Sequence, residues 1–269
     1  MKLAALQMTS SADVPANLRV ARELVREAAQ RGAALVALPE NFAFMGLGDA
    51  DKLAVAEPQG QGPIQEALAA MARDSHVWLA GGTMPIKRPE PNKVAAASLL
   101  YGPDGALVAR YDKIHLFDVD VPGKSESHRE SRYIAPGSTA VVVATAAGRV
   151  GLSVCYDVRF PELFRQLARQ GMDGLIVPSA FTAPTGRAHW ETLLRARAIE
   201  NQCWVVAPAQ SGFHANGRET YGDSMIIDHW GRVLARLPRG TGVVVADVDL
   251  AEQQLAREKF PALQHRRLD

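Results

Sequence analysis

Two cysteines, Cys155 and Cys203, are the only thiols among 269 residues, and their settings differ. Cys155 stands in Gly151-Leu152-Ser153-Val154-Cys155-Tyr156-Asp157, where an aliphatic strand runs into a polar turn and then into a helix opened by Pro161. A strand-to-helix elbow presents a side chain outward and aims backbone N–H groups, that of Tyr156 among them, at the same space. An oxyanion formed at an attacked carbonyl needs such donors, so the setting suits nucleophilic acyl transfer. It equally suits packing, because cysteine is among the most buried residue types. Cys203, in Asn201-Gln202-Cys203-Trp204-Val205, enters an apolar strand with no polar turn behind it and reads as core. Ser153 completes Gly-x-Ser-x-Cys, a near miss to the serine elbow, but it faces away from the turn that would present a nucleophile. A free thiol has a pKa of about 8.5; a downward shift of about two units, ~2.7 kcal/mol, makes most of it thiolate, and a nearby ammonium is able to supply that.

Glu40 ends a buried-looking strand over 34–38, at Pro39-Glu40-Asn41-Phe42, where open α/β sheets commonly place their chemistry. Lys113, in Arg110-Tyr111-Asp112-Lys113-Ile114-His115-Leu116-Phe117-Asp118, leaves a strand amid aromatic and aliphatic neighbours; the competing reading is a snorkelling surface lysine. The polar run from Lys124 to Tyr133, which holds Glu130, reads as an exposed loop. His115, His128 and His189 raise the question of a Cys-His pair or a metal. There is no His-Glu-x-x-His and no histidine pair at ligand spacing, so neither a metal nor a cofactor is expected. Trp190, Leu193, Leu194 and Ile199 follow helical spacing and read as core or subunit interface.

Short aliphatic runs alternate with amphipathic segments. Strands are expected over 3–7, 34–38, 78–81, 96–100, 107–110, 140–143, 150–154, 175–177, 204–207, 224–227, 233–236 and 243–248, and helices over 15–31, 161–169 and 187–202. Leu18, Ala21, Leu24, Val25 and Ala28 give the first helix one apolar stripe. Gly102-Pro103-Asp104-Gly105 signals a hairpin. Many strands with helices enough for both outer faces point to an α/β sandwich of two sheets, rather than a barrel, in a single domain over 1–269. With 30 Lys+Arg against 29 Asp+Glu, no global field recruits nucleic acid or an anionic membrane, and the expected partner is a small molecule. The opening residues lack a secretory signal and no run approaches about 18 apolar residues, so a soluble, cytoplasmic protein is expected.

Taken together, Leu38-Pro39-Glu40-Asn41, Tyr111-Asp112-Lys113-Ile114-His115-Leu116-Phe117-Asp118 and Val154-Cys155-Tyr156-Asp157-Val158-Arg159-Phe160-Pro161-Glu162 resemble the nitrilase superfamily of carbon-nitrogen hydrolases. That family carries Glu, Lys and Cys in this order, and the resemblance covers essentially the whole chain. It implies a four-layer α-β-β-α sandwich, two mixed sheets covered by helices, with Glu130 as a supporting second glutamate and no cofactor. It also implies a homodimer or larger homo-oligomer, packed through helices after the nucleophile and a C-terminal segment. Within the family the chain looks most like the deaminated-glutathione amidase and omega-amidase branch. The stretches carrying this are Pro178-Ser179-Ala180-Phe181, Ala188-His189-Trp190-Glu191, Tyr221-Gly222-Asp223-Ser224-Met225 and Gln264-His265-Arg266-Arg267. Arg187 and His229 stand where that branch has proline.

The resemblance implies a mechanism. Glu40 takes the thiol proton, Cys155 attacks the amide carbonyl, and Lys113 with the Tyr156 N–H holds the oxyanion. Protonated Glu40 returns a proton to the leaving ammonia, and water then hydrolyses the thioester. A carboxylate at the far end of the substrate needs a cation, for which Arg159 and Arg187 are the candidates, with Phe181 and His189 completing the expected substrate-binding set. Nitrile, N-carbamoyl or omega-amide hydrolysis would use the same catalytic residues; a catalytically silent scaffold is the reading from another class.

Overall fold

The computed structural model describes residues 1–120 and 127–268. Its two large sheets follow from two sets of parallel strands joined by helices. In one, Lys2–Gln7, Leu35–Ala37 and Trp78–Ala80 run parallel, with Gly242–Asp247 antiparallel at one edge. Val94–Tyr101 continues this sheet beyond Trp78–Ala80 and pairs antiparallel with Met84–Lys87 and Leu107–Asp112. In the other, Gly148–Leu152, Gly174–Ile176 and Trp204–Ala207 are parallel; Val142–Thr145 flanks one side, Ser224–Ile227 and Val233–Leu237 the other.

The period of two along a strand decides what each sheet face touches. Leu3, Ala5, Leu35 and Ala37 face inward into one cluster with Val150, Leu152, Val205 and Met225 of the second sheet. The alternate residues Ala4, Leu6, Val36 and Leu38 pack outward under two helices, α1 (Val14–Gln30) and α2 (Pro63–Ser75). The outer face of the second sheet is covered by α3 (Pro161–Arg169) and α4 (Ala183–Asn201), through Leu163, Phe164, Leu167, Trp190 and Leu194. The result is the α-β-β-α sandwich expected from the sequence. A last helix, α5 (Leu250–Lys259), follows the edge strand.

Local chemistry sets the boundaries. Asp13 caps α1 by accepting from the Ala16 N–H at 2.9 Å, and the apolar stripe Ala21, Leu24, Val25 and Ala28 is buried. The helix expected over 187–202 begins instead at Ala183: Pro184 sits in the first turn, where a missing N–H costs nothing. Gly186, which resembles a breaker, is there for space, since a Cβ would lie 2.2 Å from Tyr221 Cγ. The strand expected over 140–143 lies at Val142–Thr145, because its pairing with Gly148–Leu152 runs right up to a tight turn closed by Gly148 at φ 92°. α2 and α5 were not legible. α2 nevertheless buries Ile64, Leu68 and Met71 at helical spacing, whereas α5 buries only Gln253.

The run from Lys124 to Tyr133 departs from the expected loop. Lys124, Ser125 and Glu126 lie outside the described residues, but Ser127–Arg129 pairs with Asp118–Asp120 and Glu130–Arg132 forms a 3-10 turn. Glu130 is thereby carried inward, its side chain only 13% exposed.

Candidate active site

Three loops that follow strands converge. The strand through Leu38 turns at Asn41, a non-glycine residue at φ 56° whose N–H donates to Thr83 Oγ1 at 2.9 Å. Glu40, just before it, is buried, and its carboxylate is held at both oxygens. Oε1 accepts from Lys113 Nζ at 2.8 Å and Oε2 from the Ala180 N–H at 2.8 Å. Lys113 follows the strand Leu107–Asp112, anchored by its N–H to Ala96 O at 3.0 Å, and is 2% exposed, so it is no snorkelling surface lysine. Its ammonium also lies 2.8 Å from Glu130 Oε2, which in turn accepts from the Phe117 N–H at 2.8 Å.

Cys155 heads the 3-10 turn Cys155–Arg159 at φ 47°, in the left-handed region, a strained backbone for a residue with a Cβ. Its N–H donates to Pro178 O at 2.9 Å, which ties the elbow to the segment carrying Ala180. The Tyr156 N–H is one of the first-turn donors that a helix end leaves without an internal partner. Ser153 is buried and donates its hydroxyl to Ile176 O at 2.9 Å, away from the elbow.

The elbow and the lysine loop share a fully buried carboxylate. Asp157 Oδ2 accepts from the Val154 N–H at 2.8 Å and from Tyr111 Oη at 2.7 Å; Oδ1 accepts from the His115 N–H at 3.0 Å and lies 2.7 Å from His115 Nδ1. Burial, with Asp157 adjacent, keeps the Tyr111 phenol far above the ordinary tyrosine value, so it serves as a donor. The His115 ring stacks flat on Phe160 with centroids 3.8 Å apart. This explains why the histidine belongs to the scaffold and not to a Cys-His pair. Substituting Asp157→Asn places an NH2 against donors that need an acceptor. Unfolding free energy is expected to fall by about 2–4 kcal/mol, with turnover falling as the elbow loses its tie. A denaturation curve within 0.5 kcal/mol of wild type, an approximate margin for neutral surface changes, would overturn this.

Charge in the cluster is balanced unevenly. Burial acts to lower the Lys113 ammonium, but the Glu130 and Glu40 carboxylates outweigh it and hold its pKa well above the ordinary 10.5. Burial acts to raise Glu130, yet Lys113 and Lys52 hold it below the ordinary 4.5. Burial pushes the Cys155 thiol up, the Glu40 charge adds to this, and Lys113 only partly opposes it. The downward shift expected from a neighbouring ammonium is therefore corrected: burial and the Glu40 charge outweigh Lys113, and the thiol form is favoured.

Cys155, Glu40, Lys113, Glu130, Tyr156, Arg159 and Phe181 line one cavity. His189 touches it indirectly, with Nδ1 at 3.2 Å from Arg159 Nη1, while Arg159 lies over the rings of Phe181 and Tyr156 at 5.2 and 5.7 Å. Arg187 does not join them; it lines a different cavity with Thr9, Phe213 and Arg239. Sequence reasoning missed Asn41, Asp49, Lys52, Phe117, Thr182, Thr185 and Arg218 in the wall. Of these Asn41 and Phe117 carried a signal within the Glu40 and Lys113 motifs, and Thr185 lies in the Thr185-Gly186 stretch that also carries the resemblance. Among the described residues no group of three His, Cys, Asp or Glu side chains is arranged to hold a metal, and no helix is long and apolar enough to cross a membrane.

Known proteins resemble this chain over nearly its whole length. Residues 2–258 match the family model described as carbon-nitrogen hydrolase. The chain is 45% identical to the deaminated glutathione amidase of Synechocystis sp., covering 98% of this chain and 97% of that protein. The crystal structure of Saccharomyces cerevisiae Nit3, a member of branch 10 of the nitrilase superfamily, superposes with a TM-score of 0.89 at 30% identity, covering 100% of this chain and 97% of that one. The C. elegans NitFhit protein superposes with a TM-score of 0.90 at 40% identity; 99% of this chain spans just 65% of that one.

Proposed function

The chain belongs to the carbon-nitrogen hydrolase family, and from that premise we propose that it is an amidase acting on an amide bond of a small carboxylate-bearing substrate, of which deaminated glutathione is the leading candidate. Cys155 is the nucleophile, Glu40 the general base and acid, Lys113 and the Tyr156 N–H the oxyanion donors, and Glu130 the support that holds Lys113. The observation that carries this reading is the Lys113 ammonium, 2.8 Å from Glu40 and 2.8 Å from Glu130 in the cavity lined by Cys155.

A resting thiol constrains the order of events. With net negative charge around it, Cys155 releases its proton to Glu40 only as the amide carbonyl begins to accept electrons, so that the charge passes to an oxyanion beside Lys113 and the Tyr156 N–H. Glu40, held at both oxygens by Lys113 and the Ala180 N–H, is the group that receives the proton. It then protonates the departing nitrogen, ammonia where the amide is primary, and later activates the water that hydrolyses the thioester. Mass spectrometry of the protein quenched during turnover with a pool of candidate amides should show an acyl adduct on Cys155. An adduct elsewhere, or activity confined to nitriles, would sink the assignment.

We propose a homodimer or larger assembly in the cytoplasm, where both thiols stay reduced. In support, Ile199, Trp230 and Phe260 expose 52%, 56% and 59% of their surface, and the Trp230 and Phe260 rings meet at 6.0 Å, an apolar face on the side of α4 and α5. Light scattering that returns a monomer mass at micromolar concentration would exclude this.

A further inference from the structure

Over the whole cavity wall the four cations Lys52, Lys113, Arg159 and Arg218 face the three carboxylates Glu40, Asp49 and Glu130, and Lys113 alone is ion-paired to two of these. Among the described residues none of Lys52, Arg159 and Arg218 has a carboxylate within ion-pair distance. The cavity is thus built with surplus positive charge at its outer wall.

The three differ in how far they are already committed. Arg159 contacts His189 and covers two aromatic rings. Arg218 has a single side-chain hydrogen bond, from Nη2 to Ala180 O at 2.7 Å, while its Nε is enclosed with no acceptor at all. A guanidinium offers five N–H donors in a fixed fork that matches a carboxylate, and an enclosed donor without a partner is costly. Ala180 is also the residue whose N–H holds Glu40, so the guanidinium is fixed one peptide away from the reacting centre. Lys52 comes from the 3-10 turn Asp49–Leu53, and the hairpin carrying Arg218 is tied to the chain just before that turn by Asn216 Nδ2 donating to Gly46 O at 2.9 Å.

We infer that Arg218, supported by Lys52, receives the far carboxylate of the substrate and selects short amides that carry an anion over neutral amides. The inference deepens the amidase reading and rests on it. The alternative role for Arg218 is a strut under Ala180, which would act on every amide alike.

Glutaramate and valeramide share chain length and differ in the far carboxylate, so their kcat/KM ratio reads the selection directly. Arg218→Gln is expected to lower that ratio by about tenfold or more, chiefly through KM for glutaramate, with Arg218→Lys restoring part of it and Lys52→Gln giving a smaller drop of about threefold. Glutarate titrated calorimetrically into Cys155→Ala protein should bind about tenfold more weakly when Arg218→Gln is added. An equal loss on both amides, no glutarate binding, or glutarate binding unchanged by Arg218→Gln would overturn the inference. If the wild-type protein hydrolyses neither amide, the glutarate titration still decides the role of the arginine, and the amidase reading stands or falls on the Cys155 adduct.

Discussion

Cys155→Ala is expected to reduce amide turnover by at least about 10⁴-fold, to the uncatalysed background, while leaving the fold in place. The two halves of this expectation have separate grounds. Turnover requires a sulfur because the pathway proceeds through a thioester, and neither Ser153, directed at Ile176 O, nor Cys203 is placed to replace it. The fold survives because alanine also carries a Cβ, so the left-handed backbone at φ 47° is no more strained than with cysteine, and the Cys155 N–H to Pro178 O hydrogen bond is untouched. Cys203→Ala is the matched control. Cys203 is fully buried among Val205, Ala198 and Leu194, and burial pushes its thiol up to about 12. Its loss should cost about 1 kcal/mol of stability and change turnover less than twofold, a rough bound for a site remote from the chemistry. Initial rates and a melting curve for each protein suffice. A Cys155→Ala enzyme with wild-type rate would remove the nucleophile assignment.

The same pair shows what the sequence made legible. An elbow is a local property, written in an aliphatic run followed by a polar turn and Pro161, so the contrast between Cys155 and Cys203 was readable from about seven residues each. Glu40 at the end of a strand was readable for the same reason. Burial of Lys113 was not, because a lysine stem beside aliphatic residues packs equally well with its ammonium in water or enclosed. What encloses it is Glu130, 17 residues on, brought inward by a strand pairing between two short polar segments that carry no apolar pattern. The direction of the thiol shift failed because burial of Cys155 raises it most and the adjacent Glu40 charge adds to this, which Lys113 only partly opposes. Arg218 was invisible for another reason. In Asn216-Gly217-Arg218 it has the composition of a solvated hairpin turn, and only the docking of that hairpin beside Ala180 makes it part of the cavity. Arg187 illustrates the converse: a position conspicuous for lacking an expected proline faces a different cavity.

Lys113→Met should be the most damaging single substitution for stability, and its cost should depend on pH in a defined direction. Methionine keeps much of the stem volume but leaves Glu40 and Glu130 as two enclosed carboxylates without their shared cation. Removing one partner from a buried ionic cluster typically costs about 3–5 kcal/mol. Since an oxyanion donor is lost as well, kcat should fall by about 10²–10³-fold or more. Glu130 is held below its ordinary 4.5, so its contribution is present above that value and is lost as pH falls through the lower value of the folded state. Lys113 is held above its ordinary 10.5, so its contribution is complete below that value and is lost only as pH rises through the higher value of the folded state. The full penalty therefore applies between these limits. On acidification the variant gains, because Glu130 without its cation takes up a proton more readily than in the wild type. The gap in Tm between wild type and Lys113→Met should be widest near neutral pH and narrow steadily below about pH 5. A gap that stays constant from pH 7 to 4 would mean that the lysine contributes through packing alone, and the charge-sharing role given to Glu130 would then have to be abandoned.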